Sequence, residues 1–175
     1  MYKGDYDRAI TDYNEAIRMN PQFLRAFINR GFTQFYQARF DMAADDIAAA
    51  NQLAPNNADI VVWLYLTRTR SGKSAQDDLA QKAKALPADK WPAQVINLYL
   101  GNLKPEALAA ATASPDPKTQ AKQQCEASLF LGEWYLINHD TEQAKKLLRK
   151  AQADCPKDLD FLEYKAADNE LKRLQ

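Results

Sequence analysis

Residues 24–57 read LRAFINRGFTQFYQARFDMAADDIAAANQLAPNN, and the architecture of the chain can be worked out from this stretch. Phe27, Gly31, Phe40, Ala43, Ala50 and Pro55 punctuate it in one register. With apolar positions at helical spacing, the stretch reads as two antiparallel helices. Gly31 leaves room for the second helix to approach the first. Ala43 and Ala50 lie seven residues apart, on one face of that second helix, and permit the same close contact. Pro55 cannot continue the helix and ends the unit.

A helix pair of about 34 residues with small residues at the seam and a closing proline is the tetratricopeptide unit. The pattern extends in both directions. Before it, MYKGDYDRAITDYNEAIRMNPQ carries Ala9, Tyr13, Ala16 and Pro21 in the register of Ala43, Ile47, Ala50 and Pro55, with Tyr6 at the place of Phe40. Residues 1–23 therefore read as the second half of a repeat whose first helix would precede Met1. A signal or lipid-bearing segment would lie there too. The alternative is an unpaired first helix whose apolar face (Ala9, Ile10, Tyr13 and Ile17) is covered by a dimer partner.

After residue 57 the pattern loosens. Residues 58–124 read as two degenerate helix pairs: Ala58–Arg70 with Ser74–Leu86, then Ala93–Leu100 with Pro105–Ala113, followed by a breaker at Ser114-Pro115-Asp116-Pro117. Cys125 lies 67 residues after Ala58, one short of two units of about 34. In residues 125–158 the pattern returns with Leu131, Gly132, Tyr135, Ala144, Ala151 and Pro156. The twelve-residue steps from Gly31 to Ala43 to Pro55 repeat from Gly132 to Ala144 to Pro156. Residues 159–175 read as an amphipathic helix of the kind that caps a solenoid. The fold expected is thus all-α, an α-solenoid of antiparallel helix pairs in a single domain over 1–175.

Charge and cysteine usage narrow the functional classes. Lys+Arg and Asp+Glu stand at 23 each, so no electrostatic footprint for nucleic acid or anionic lipid is expected. No apolar run approaches the ~18 residues of a membrane span. The two cysteines fall at matching ends of the last hairpin, Cys125 opening its first helix and Cys155 ending its second. Antiparallel packing brings those ends within the ~4.4–6.8 Å Cα separation of a disulfide. The alternative is two unrelated buried thiols. A bridge would imply an oxidising compartment such as the periplasm, whereas free thiols would suit the cytoplasm.

Catalytic chemistry is sparse. The one histidine, His139, lies in the turn Asn138-His139-Asp140 with no second histidine to share a metal or a proton. The pairs Asp45-Asp46 and Asp77-Asp78 diverge by ~100° around their helices and read as solvated faces. Gly72-Lys73-Ser74 lacks the strand and glycine-rich loop of a phosphate-binding site. The sequence reads as no enzyme, with no cofactor and no metal.

WLYL at 63–66, the stretch Trp91 to Leu108 (WPAQVINLYLGNLKPEAL), FLGEWYL at 130–136 and FINRGFTQFYQARFDMAADD at 27–46 resemble the NlpI-type tetratricopeptide lipoproteins of the bacterial envelope. The resemblance implies a non-enzymatic adaptor, anchored at the outer membrane and dimeric, that brings peptidoglycan hydrolases to a processing protease. Groove positions of tetratricopeptide proteins, carried onto this chain, are Arg25, Ile28, Asn29, Phe32, Phe35 and Tyr36, with Trp63 and Leu66 from the next unit. Aromatics with an arginine are the composition of interaction hot spots. Phe35 and Leu66 read equally well as core. Ile28 and Phe32 replace polar residues of the clamp with which related repeats hold a C-terminal carboxylate, so that ligand is not expected. Two functions follow as expectations: a scaffold binding a protein segment on its concave face, or a structural module that self-assembles as a homodimer.

Overall fold

Helical periodicity governs the described residues. The computed structural model, which describes residues 3–155 and 162–175, contains ten helices and no strand among the described residues. They fall into two units, Met1–Leu86 and Pro87–Gln175. The first holds α1 (Lys3–Met19), α2 (Leu24–Tyr36), α3 (Phe40–Leu53), α4 (Ala58–Arg70) and α5 (Gln76–Ala83). The second holds α6 (Ala93–Tyr99), α7 (Pro105–Ala110), α8 (Pro117–Ile137), α9 (Thr141–Asp154) and α10 (Leu162–Arg173).

In the first unit each helix packs on the next in sequence, with the α2–α3 interface the most extensive. The spacing that predicts this hairpin has its reason in the coordinates. A Cβ at Gly31 would stand 3.0 Å from Ile47 Cδ1 and 3.3 Å from Asp46 Cβ, so any larger residue there would have to displace its neighbours on α3. Ala43 and Ala50 on the facing stripe are fully buried. In the second unit α8 and α9 repeat the arrangement. A Cβ at Gly132 would stand 2.9 Å from both Cγ and Cδ2 of Leu148, and Ala144 and Ala151 are fully buried. Both hairpins turn through a non-glycine residue in the left-handed region: Ala38 at φ 58° and His139 at φ 63°. Each turn closes with a bond from the next residue to a carbonyl in the last helical turn, Arg39 N to Gln34 O and Asp140 N to Tyr135 O, both 2.9 Å.

Helix starts carry side-chain caps where the sequence supplies them. Asn57 accepts from Ile60 N at α4, Asp116 from Thr119 N at α8 and Asp140 from Gln143 N at α9. Asp116-Pro117 corrects one reading. Instead of only breaking the chain, it opens α8, with aspartate at the cap and proline in the first turn. Cys125 consequently lies inside α8 and does not begin it. The degenerate pairs are helical as expected but shorter: α5 stops at Ala83 and α7 at Ala110. Pro156 and residues 157–161, which include the end of the last repeat and the start of the expected capping helix, lie outside the described residues. The rest of that cap is α10, which packs on α9 and α8.

α1 differs from its equivalents. It packs on α2, but Ala9, Ile10, Tyr13 and Ile17 are only half-buried, and none of the described side chains of α1 is fully covered. The positions equivalent to Ala9, Tyr13 and Ala16 in α3 and α9 are all at most 2% exposed.

Candidate functional site

The groove positions proposed on α2 form a stripe at helical spacing, and the structure divides it. Arg25 is exposed, and Ile28 and Asn29 are half-buried on the open first turns of the helix. Further along, Phe32, Phe35 and Tyr36 are buried, as are Trp63 and Leu66 on α4. Phe32, Tyr36 and Trp63, expected to project into a groove, instead pack against neighbouring rings in this chain, and Phe35 takes the core alternative of its reading. Phe32 meets the Trp63 ring edge-on with centroids 4.6 Å apart, and Phe35 meets it at 5.4 Å. Phe35 also packs edge-on against Phe40 at 5.3 Å, and Tyr36 contacts Tyr6 at 6.0 Å. Arg70 closes one side, its guanidinium carbon 4.5 Å from the Phe40 ring centroid. The physical reason is area: large rings between adjacent helices gain more by edge-to-face packing than by facing solvent.

An ion-pair network missed by the sequence reading holds the open end of the stripe. Arg30 on α2 donates through Nε to Asp46 Oδ2 at 2.7 Å and through Nη2 to Asp46 Oδ1 at 2.5 Å. Its remaining nitrogen, Nη1, donates to Asn14 Oδ1 on α1 at 2.6 Å. Three helices are thus tied by one planar guanidinium, a use lysine could not serve. The hydrogen bonds to Asp46 raise the Arg30 pKa above the usual arginine value. Asp46 is buried, which corrects its reading as a solvated residue; Asp45 is exposed as expected. An arginine sixteen residues before an aspartate was the available signal, but the spacing alone does not show that both side chains turn toward the seam.

Cys125 and Cys155 are bridged, with Cα atoms 4.7 Å apart, and both are buried. The bond ties the middle of α8 to the C-terminal cap of α9. Nearby, Trp91 Nε1 donates to the buried Glu126 Oε2 at 2.5 Å, and Lys122 lies 3.4 Å from Glu126 Oε1. His139 is exposed in its turn, where its role is conformational. Among the described residues no group of three His, Cys, Asp or Glu could hold a metal ion, and no helix is long and apolar enough to cross a membrane.

Antiparallel helix pairs joined by tight turns, with small residues at the seam, define a helical-repeat protein. Residues 1–37, covering α1 and α2, match the family model of the TPR repeat. The match supports a tetratricopeptide-repeat protein, a class whose repeats generally mediate protein–protein interaction.

Proposed function

We propose that the chain is an interaction scaffold that binds a protein segment along the exposed start of α2. The observation that carries this reading is the division of the α2 stripe. Arg25, Ile28 and Asn29 offer a cation, an aliphatic surface and an amide at helical spacing, on a helix fixed from behind by the buried ring cluster. Such a face is pre-organised: its backbone does not have to order when a partner arrives, so less binding energy is lost. The rings at Phe32, Tyr36 and Trp63 then contribute to binding through rigidity and at the margin of the contact.

The compartment belongs to the same reading. A buried disulfide suits an oxidising environment, and the resemblance to envelope lipoproteins points to the periplasm, with a lipid anchor beyond the residues of this sequence. The partners would be peptidoglycan hydrolases and a processing protease, brought together without catalysis by the scaffold itself. Photo-crosslinking tests this. A benzophenone side chain at position 28 or 29 should give adducts with a hydrolase or protease in an envelope extract, and the same group at exposed Gln52 should not. Equal labelling from all three positions would contradict a defined binding face.

The half-covered α1 supports a second reading, in which a further copy of the chain packs on Tyr13 and Ile17 to form a homodimer. Sedimentation across a concentration series separates the two. Monomer throughout contradicts self-assembly.

A further inference from the structure

α9 carries Lys145, Lys146, Arg149 and Lys150 within six residues, a concentration of positive charge in a chain that is neutral overall. Two of these, Lys145 and Arg149, line a cleft of about 490 Å³ together with Gln152 from the same helix. The opposite wall is the C-terminal half of α10, with Asp168, Leu171 and Lys172. The Asp168 carboxylate bonds to groups other than the α9 cations. One of its oxygens accepts from Gln152 Nε2 at 3.0 Å and the other from Lys172 Nζ at 2.6 Å.

Lys150 is paired with Asp154 on its own helix, which leaves Lys145 and Arg149 as the cations that face the cleft. Among the described residues Arg149 has no ion-pair or hydrogen-bond partner. Lys145 has only Glu142 at 3.7 Å, a carboxylate whose side chain is 88% exposed. The half-buried Leu171 provides an aliphatic strip beside the charges. Positive groups one helical turn apart, at positions 145 and 149, match carboxylates spaced along a peptide, and an adjacent leucine matches an aliphatic side chain between them.

We infer that the α9–α10 cleft binds an acidic peptide segment of a partner protein, with carboxylates on Lys145 and Arg149 and an aliphatic side chain on Leu171. This site belongs to residues 87–175 alone. Its failure would leave the α2 face untouched, and the reverse holds too.

The test is titration of the whole chain with a capped peptide in which glutamates alternate with leucines, monitored by amide chemical shifts. Saturable shifts confined to α9 and α10, weakening as salt is added, are the expected result. The pair Lys145→Glu and Arg149→Glu should lower the affinity by roughly tenfold or more, with the melting temperature unchanged, and the pair Lys145→Gln and Arg149→Gln by less. A twin peptide with lysines for glutamates should not bind. The inference is overturned if the glutamate peptide does not bind, if its shifts fall elsewhere, if the lysine twin or a DNA duplex binds as tightly, or if both paired variants keep the parent affinity.

Discussion

The α2–α3 and α8–α9 hairpins share one backbone plan and are fastened differently. An offset of 101 residues superposes Gly31 on Gly132, Ala38 on His139, Ile47 on Leu148 and the buried alanines on one another. At the same offset Arg30 and Asp46 become Leu131 and Leu147, while Cys125 and Cys155 stand where the first hairpin has Leu24 and Ala54. The first hairpin is thus closed by an ion pair and a ring cluster, the second by a disulfide. Phe32, packed on Trp63 in the first, corresponds to the fully buried Glu133 in the second. Positions that set the distance between helices are held, and positions that only fasten them are exchangeable.

The largest expected effect comes from breaking one fastener halfway. Arg30→Leu leaves the Asp46 carboxylate buried without its cation and should cost about 3 kcal/mol. Adding Asp46→Leu, which installs the leucine pair of the second hairpin, should recover most of that loss. Chemical denaturation of both variants and the parent decides it. A double variant no more stable than the single one would show that the ion pair sets the geometry as well as fastening it.

Removing the disulfide by Cys125→Ala with Cys155→Ala should cost roughly 3 kcal/mol, the entropy of an open loop of about thirty residues. Its loss should act on unit 87–175 and leave hydrogen exchange in α2 and α3 unchanged. Protection lost equally in both units would contradict separate fasteners.

A smaller effect, of opposite sign, is expected at the turns. Ala38→Gly and His139→Gly should each stabilise by about 0.5–1 kcal/mol, since glycine adopts the left-handed conformation without a Cβ clash. If either destabilises, its side chain contributes more than the turn costs. The smallest effect is at Asp116. Its side chain accepts from the Thr119 hydroxyl and backbone, which holds its pKa below the ordinary aspartate value. A carboxyl depressed in the folded state contributes stability above its unfolded pKa and loses it as pH falls through the folded one. The first turn of α8 should therefore fray at acid pH below the usual aspartate range, and Asp116→Asn should remove that dependence. Amide exchange at Thr119 reports it.

The same division decides how much of the molecule was legible in the sequence. Spacing residues announce themselves, because glycine, alanine and proline at fixed steps serve close approach and helix ends and little besides. The pairing of α2 with α3 and of α8 with α9 follows from them. The Cys125–Cys155 pair was legible because antiparallel packing sets Cys125 opposite the end of α9, even though α8 starts earlier than the sequence reading had it. The start of α8 was not, because aspartate-proline breaks a preceding helix and caps a new one equally well. The Arg30–Asp46 pair and the burial of Phe32 and Trp63 were hidden for another reason. A charged residue or a ring on a helix stripe is equally compatible with solvent, a neighbouring helix or a partner, and only the position of the next helix decides.

If the start of α2 binds and its end supports, affinity and stability must separate along one helix. Both quantities should be measured together on Arg25→Glu with Asn29→Ala and, separately, on Phe32→Ala, with the species crosslinked at position 28 as ligand. The first variant should bind roughly tenfold more weakly with its melting temperature unchanged. Phe32→Ala should lose about 3 kcal/mol of stability. Undiminished binding by a folded chain carrying Arg25→Glu and Asn29→Ala would refute the assignment of the binding face.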